Sequence, residues 1–135
     1  IRVAGTMKQT SGGTIKNSRG GLGAAECWGQ PAEWIDYYGP VDGKVVGVTI
    51  MDHPESFRHP THWHIRDYGL FAANPFGHRH FYGKEAAGKG DYRLQKGQSI
   101  RFKYRLYIHH GDTARSSVER VYGGFSSPPL LHLKR

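Results

Sequence analysis

Residues 99–110, SIRFKYRLYIHH, alternate apolar and polar side chains, and that alternation constrains the fold more than any other feature of the chain. Ile100, Phe102, Tyr104, Leu106 and Ile108 fall on one side, with Arg101, Lys103, Arg105, Tyr107 and His109 on the other. Period two is the signature of a half-buried strand, and the first set is expected to face the core. The preceding Lys96-Gly97 turn makes this strand, 99–109, the second arm of a hairpin with 91–95. Two further strands are expected. Residues 44–53 are rich in β-branched side chains between Gly39-Pro40 and Pro54, and deliver Asp52 and His53 to a sheet rim. Residues 61–68 alternate so that Thr61, Trp63, Ile65 and Asp67 share one face, and His62, His64, Arg66 and Tyr68 the other.

With 19 glycines and 7 prolines marking many turns, these strands predict an all-β protein, an antiparallel β-sandwich. After Gly111 the period changes. Asp112 is placed to cap one short C-terminal helix over 113–124, with Ala114, Val118, Val121 and Tyr122 at helical spacing and Gly123 as its stop. Residues 1–43 read as short strands between tight turns, and 126–135 as an extended closing segment.

At 135 residues the chain forms a single domain, 1–135. A hydrophobic content of 37% is too high for a disordered chain. The formal charge of +8 biases the surface towards anions: acidic glycans, phosphates or nucleic acid. Cys27 is the sole cysteine, so no intrachain disulfide forms, and in its Gly-rich setting it reads as an idle or buried thiol rather than a nucleophile. No apolar run is long enough to span a bilayer, and no basic-then-apolar leader opens the chain. A start at Ile1 without Met fits a processed mature chain or a piece of a longer one.

Candidate chemistry gathers in 58–80, RHPTHWHIRDYGLFAANPFGHRH, which holds five of the nine histidines. A ligand site is one reading. Arg58, Arg66, Asp67 and Asn74 suit hydroxyls and carboxylates, while Trp63, Tyr68 and Phe76 offer planes on which sugars stack. Against it stand Arg66–Asp67 or Arg58–Asp52 ion pairs and core positions for the aromatics. General acid–base work could fall to Asp52, His53, His59, His64 or Asp67. A metal is the competing reading. His62-x-His64 and His78-x-His80 each place two imidazoles on one face if they lie on strands, and His64 with His59 or His53 and His109 would then converge. No pattern identifies a cofactor. Arg93, Lys96, Arg101, Lys103 and Arg105 form an acid-free basic block beside Tyr104 and Tyr107, a nucleic-acid signal weakened if Phe102, Tyr104 and Leu106 are core.

Asp52-His53-Pro54, Arg58–Thr61, Trp63–Gly69 and Asn74–Gly77 stand in an order that resembles the bacterial family labelled "methane oxygenase PmoA". Flanking segments NSRGG, CWGQPAEWIDYYGPVDGK and LQKGQSIRFKYRLYIHHGD fit it too, so the likeness covers most of the chain as a C-terminal portion of a longer architecture. The resemblance implies a galactose-mutarotase-like supersandwich, an extracellular or periplasmic location, and a carbohydrate-related role. The label itself implies a Cu-, Fe- or Zn-dependent oxidoreductase. Where the family has proline this chain has His62, and His78 and His80 lie outside the pattern. The expected protein therefore binds or processes a sugar, acidic in view of the charge. Its catalytic candidates are His59, His64 and Asp67, and its ligand-binding candidates Arg58, Trp63, Arg66 and Asn74. Its partner is a glycan or other small anion. A membrane is not expected, nucleic acid ranks behind sugar, and a homo-oligomer is left open.

Overall fold

The computed structural model describes residues 1–127. In chain order its main elements are β1 (Thr14–Asn17), α1 (Gly23–Cys27), β2 (Trp34–Val41), β3 (Lys44–Asp52), β4 (Trp63–Ile65), β5 (Phe71–Ala73), α2 (His78–Tyr82), β6 (Tyr104–His110) and α3 (Val118–Ser126). The protein is all-β and sandwich-like. An antiparallel sheet in the order β1-β2-β3-β6 faces a small antiparallel sheet, β4-β5, and α3 closes the chain's described part.

The hairpin β2–β3 is set by Asp42-Gly43, which joins the paired residues Val41 and Lys44 with φ of 49° and 73°. Two successive positive φ values make the tight turn whose twist matches that of the strands it joins. Gly39-Pro40, read as the turn, instead lies within β2. There Gly39 lets two backbones meet, since a Cβ would stand 2.8 Å from Met7 Cα.

Strand alternation sends side chains to two cores. Ile15, Ile35, Tyr37 and Ile50 leave one face of the main sheet to meet Trp63, Ile65 and Phe71 of the small one. Trp34 and Met51 leave the other face to meet Val118 and Phe125 of α3. Each such buried side chain contributes roughly 1.5–3 kcal/mol, before the entropy of ordering it is set against it.

Several expectations need correcting. Residues 91–95 form no strand and no hairpin with β6, which begins only at Tyr104. On β6, Leu106 and Ile108 are 57% and 77% exposed while His109 is buried. On the Leu106 and Ile108 face Tyr104 packs on the core shared with the small sheet, whereas on the other Tyr107 packs against the helical layer and His109 is held by Asp36. Alternation located the strand's two faces but not which one would be covered. The expected strand 61–68 shortens to β4, and His78-x-His80 lies on the helix α2 rather than a strand. The C-terminal helix starts at Val118, not after Asp112: residues 113–117 are turns held by Asp112, and Ser117 is left-handed at φ 52°. Gly123 falls inside that helix. The closing segment 126–135 lies largely outside the described residues. Among the described residues no helix is long and apolar enough to cross a membrane.

Candidate functional site: a histidine–aspartate pair at the sheet rim

Where β3 ends, neighbouring side chains leave on opposite faces. Asp52 is fully buried beneath the returning loop 53–61. Its Oδ2 accepts a hydrogen bond from the Thr61 backbone N–H at 2.9 Å and lies 2.9 Å from His59 Nδ1. Its Oδ1 is buried and has no partner. A buried carboxylate oxygen left without a protein partner costs free energy in a purely structural role. With Asp52 ionised, the contact places the His59 proton on Nδ1, which leaves Nε2 as the basic nitrogen. The His59 side chain is 18% exposed. Tyr104 stands opposite Asp52 in the sheet register. Burial first, and then the Asp52 charge, push its hydroxyl pKa up.

His53 takes the other face. Its ring meets Phe125 edge-on at 4.9 Å, its Nδ1 accepts the Glu55 N–H at 3.1 Å, and Lys103 Nζ lies 3.1 Å from its Nε2. Ser56 Oγ donates to the Lys103 carbonyl at 3.1 Å and accepts the Lys103 N–H at 2.9 Å, so it is no free nucleophile.

Beside the pair lies an aromatic shelf. Phe57 contacts Phe76, Tyr92 and Phe102 with ring centroids 6.2, 4.6 and 6.1 Å apart, and Phe102 stacks on Tyr104 at 6.2 Å. Phe76, Tyr92 and Phe102 are 43%, 43% and 38% exposed. Arg58, at φ 60°, binds the shelf together: its guanidinium donates to the carbonyls of Pro75 (2.9 Å), Gly90 (2.7 Å) and Asp91 (2.9 Å).

The other expected site residues have different surroundings. Trp63 is fully buried, its Nε1 donating to the Ala32 carbonyl at 2.9 Å, so it offers no stacking plane. Asn74 Oδ1 accepts the Phe76 N–H at 3.2 Å and shapes the turn into the shelf. His64 sits edge-on to Phe81, and burial, then the Arg66 and His80 charges, hold its pKa down. Arg66 lies 4.7 Å over the Trp28 ring, and with Asp67 lines a separate cleft of about 250 Å³. Asp67 is exposed. His62 and His78 face one another at 4.5 Å between centroids, and burial, His78 and Arg58 lower the His62 pKa. His109 is held far from any of these by Asp36, with Nε2 2.9 Å from its Oδ1. Of the residues named for a metal, His62 and His78 meet while His53, His59 and His109 lie in other surroundings, and among the described residues no three His, Cys, Asp or Glu side chains gather as ligands. Cys27 is buried, and burial, then the Glu26 charge, push its thiol up to about 12.

The pairing of Asp52 with His59, and the contribution of Phe57, Tyr92 and Phe102, went unread in the sequence. A signal was present: Asp-His-Pro ends a strand and Arg-His-Pro follows within one short return loop, spacing that folds the second histidine back on the aspartate.

Fold and site together define a sandwich-like all-β protein with an aspartate-anchored histidine at one rim. Residues 1–123 match a family described as a family of unknown function (DUF6807), and the chain belongs to it. No curated protein and no solved structure matches the chain.

Proposed function

We propose that the protein is a carbohydrate-related domain that binds or processes a sugar, with His59 as its proton-transfer group and Asp52 holding that imidazole in place. The observation that carries this reading is the Asp52–His59 contact at 2.9 Å, with Asp52 fully buried. A histidine so anchored takes a proton at Nε2 from a hydroxyl, a water or an activated carbon, and the adjacent carboxylate stabilises the imidazolium that results. Ser56 Oγ is engaged by Lys103 as both donor and acceptor, so His59 rather than Ser56 is the group read as reacting. Exposed aromatic planes beside the pair suit sugar rings. The likeness of 52–77 to the "methane oxygenase PmoA" pattern supports a carbohydrate context and an extracellular or periplasmic location.

Calorimetry against neutral and acidic oligosaccharides, followed by product analysis of every binder, tests the proposal. At least one saccharide is expected to bind, and any turnover should fall by about 10²-fold or more in His59→Gln. Uniformly absent binding by folded protein would sink it.

A further inference from the structure

We infer that the shelf of Phe76, Tyr92 and Phe102 around Phe57 is a binding subsite for a carboxylated sugar residue. The inference rests on the carbohydrate reading and gives that site its substrate class and location.

Scattered exposed aromatics are ordinary, but a contiguous set is not. Here three exposed rings share Phe57 as their common contact. Phe76 and Tyr92 border an open depression of about 510 Å³ lined also by Gly90, Asp91 and Arg93. That volume accommodates a small ligand of one or two rings.

The shelf is also built, not merely bare. The irregular segment that carries Tyr92 and Phe102 is tied to the rim loop by backbone bonds from Phe57 N–H to the Arg101 carbonyl (2.8 Å) and from His53 N–H to the Lys103 carbonyl (3.0 Å). Arg58 fastens its other end through the Gly90 and Asp91 carbonyls. Gly90 permits this closeness, since a Cβ there would stand 2.4 Å from the Phe76 carbonyl oxygen. Preorganised loops bind with less ordering cost.

Charge chooses among flat ligands. Arg93, Lys96 and Arg101 follow one another along the same segment against Asp91, and Arg93 lines the depression together with Asp91, while Lys103 is engaged by Glu55 and His53. A pyranose presents apolar C–H faces to the rings, and a carboxylate on it meets the guanidinium in a charge-assisted hydrogen bond. Neutral sugars forgo that second contact.

The test is calorimetry with an oligogalacturonate, its carboxyl-reduced neutral counterpart and oligothymidylate, on wild type, Tyr92→Ala, Phe102→Ala and Arg93→Gln. Circular dichroism and thermal midpoints certify that each variant is folded. The oligogalacturonate is expected to bind best, and each ring deletion to weaken it by about tenfold. Arg93→Gln should narrow the acidic-over-neutral preference while sparing the neutral ligand. The inference is overturned by equal affinity for acidic and neutral oligosaccharides, by ring deletions without effect, by oligothymidylate binding tighter than any saccharide, or by self-association that the ring deletions abolish. His59→Gln, assayed alongside for turnover, separates the two readings. Turnover lost there while shelf variants bind as wild type leaves the acid–base assignment standing and removes the subsite. Saccharide binding lost in the shelf variants, with turnover indifferent to His59, does the reverse.

Discussion

Gly47 sits in the sheet opposite His109, and a Cβ added there would stand 2.3 Å from His109 Cε1 and 2.6 Å from Nε2. The missing side chain is the space in which that imidazole lies. Gly47→Ala should therefore destabilise the fold by about 2 kcal/mol through overpacking, measured by urea denaturation, and an unchanged midpoint would refute it. The displaced ring matters because Asp36 is fully buried and is satisfied by His109, by Thr49 Oγ1 at 2.9 Å and by Thr113 Oγ1 at 2.7 Å. Burial lowers the His109 pKa, but the Asp36 hydrogen bond and charge together with backbone hydrogen bonds at His110 and Gly111 outweigh it, and the net shift is upward from 6.5. A raised pKa means that the pair's contribution is complete below 6.5 and fades as pH rises through the folded value. His62 and His64, shifted down, act with the opposite sign: their contribution holds above 6.5 and is lost as pH falls. Wild type alone therefore mixes the two. The stability gap between wild type and His109→Gln isolates His109, and should be widest well below pH 6.5 and shrink above it. A gap independent of pH would contradict the assignment.

At the scale of elements, a second ion pair ties the turn after β1 to the start of β2. Arg19 Nη2 donates to Glu33 Oε1 at 2.9 Å and Ser18 Oγ to Oε2 at 2.6 Å. The Arg19 hydrogen bond leads in lowering the Glu33 carboxyl from 4.5 to about 2, with Ser18 and the Arg19 charge adding to it against burial. A lowered carboxylate pKa contributes stability above 4.5 that is lost as pH falls towards 2. Glu33→Gln should accordingly flatten that part of the acid-unfolding curve, followed by circular dichroism, without altering its shape near neutrality. β3 was legible because a β-branched run bounded by Pro54 has few alternatives. α3 was legible in kind but not in onset, because Asp112 closes a turn through the Arg115 N–H and the true start follows a left-handed Ser117 that no spacing rule marks. β6 shows the limit of periodicity most plainly. Its faces were readable, yet Leu106 is open and His109 closed, since cover depends on which other elements reach that edge.

For the whole molecule, the net charge of +8 was readable at once, and so was the crowding of titratable groups between Asp52 and Asn74. Their sorting was not. Trp63 went to the core, Arg58 to three carbonyls, Arg66 to the Trp28 ring, and only His59 met a buried carboxylate, because loop return and sheet cover decide partners that lie far apart along the chain. The charge has a measurable consequence. Oligogalacturonate affinity should fall as salt rises, since a Debye length of about 10 Å at 0.1 M screens an exposed basic segment. Affinity for a neutral sugar should stay flat, and equal salt slopes would contradict electrostatic selection.

One peptide bond at the end of β3 divides the labour of the rim: Asp52 goes under the loop to His59, and the next residue, His53, goes to Phe125 beneath α3. The helix and the Asp52–His59 pair therefore rest on adjacent residues, although they lie on opposite sides of the sheet. Random mutagenesis scored by sugar turnover should recover α3 positions, Phe125 first among them, that never approach a ligand. Such hits would be told from true site residues by a loss of His59 alignment together with thermal stability, rather than by a change in saccharide preference.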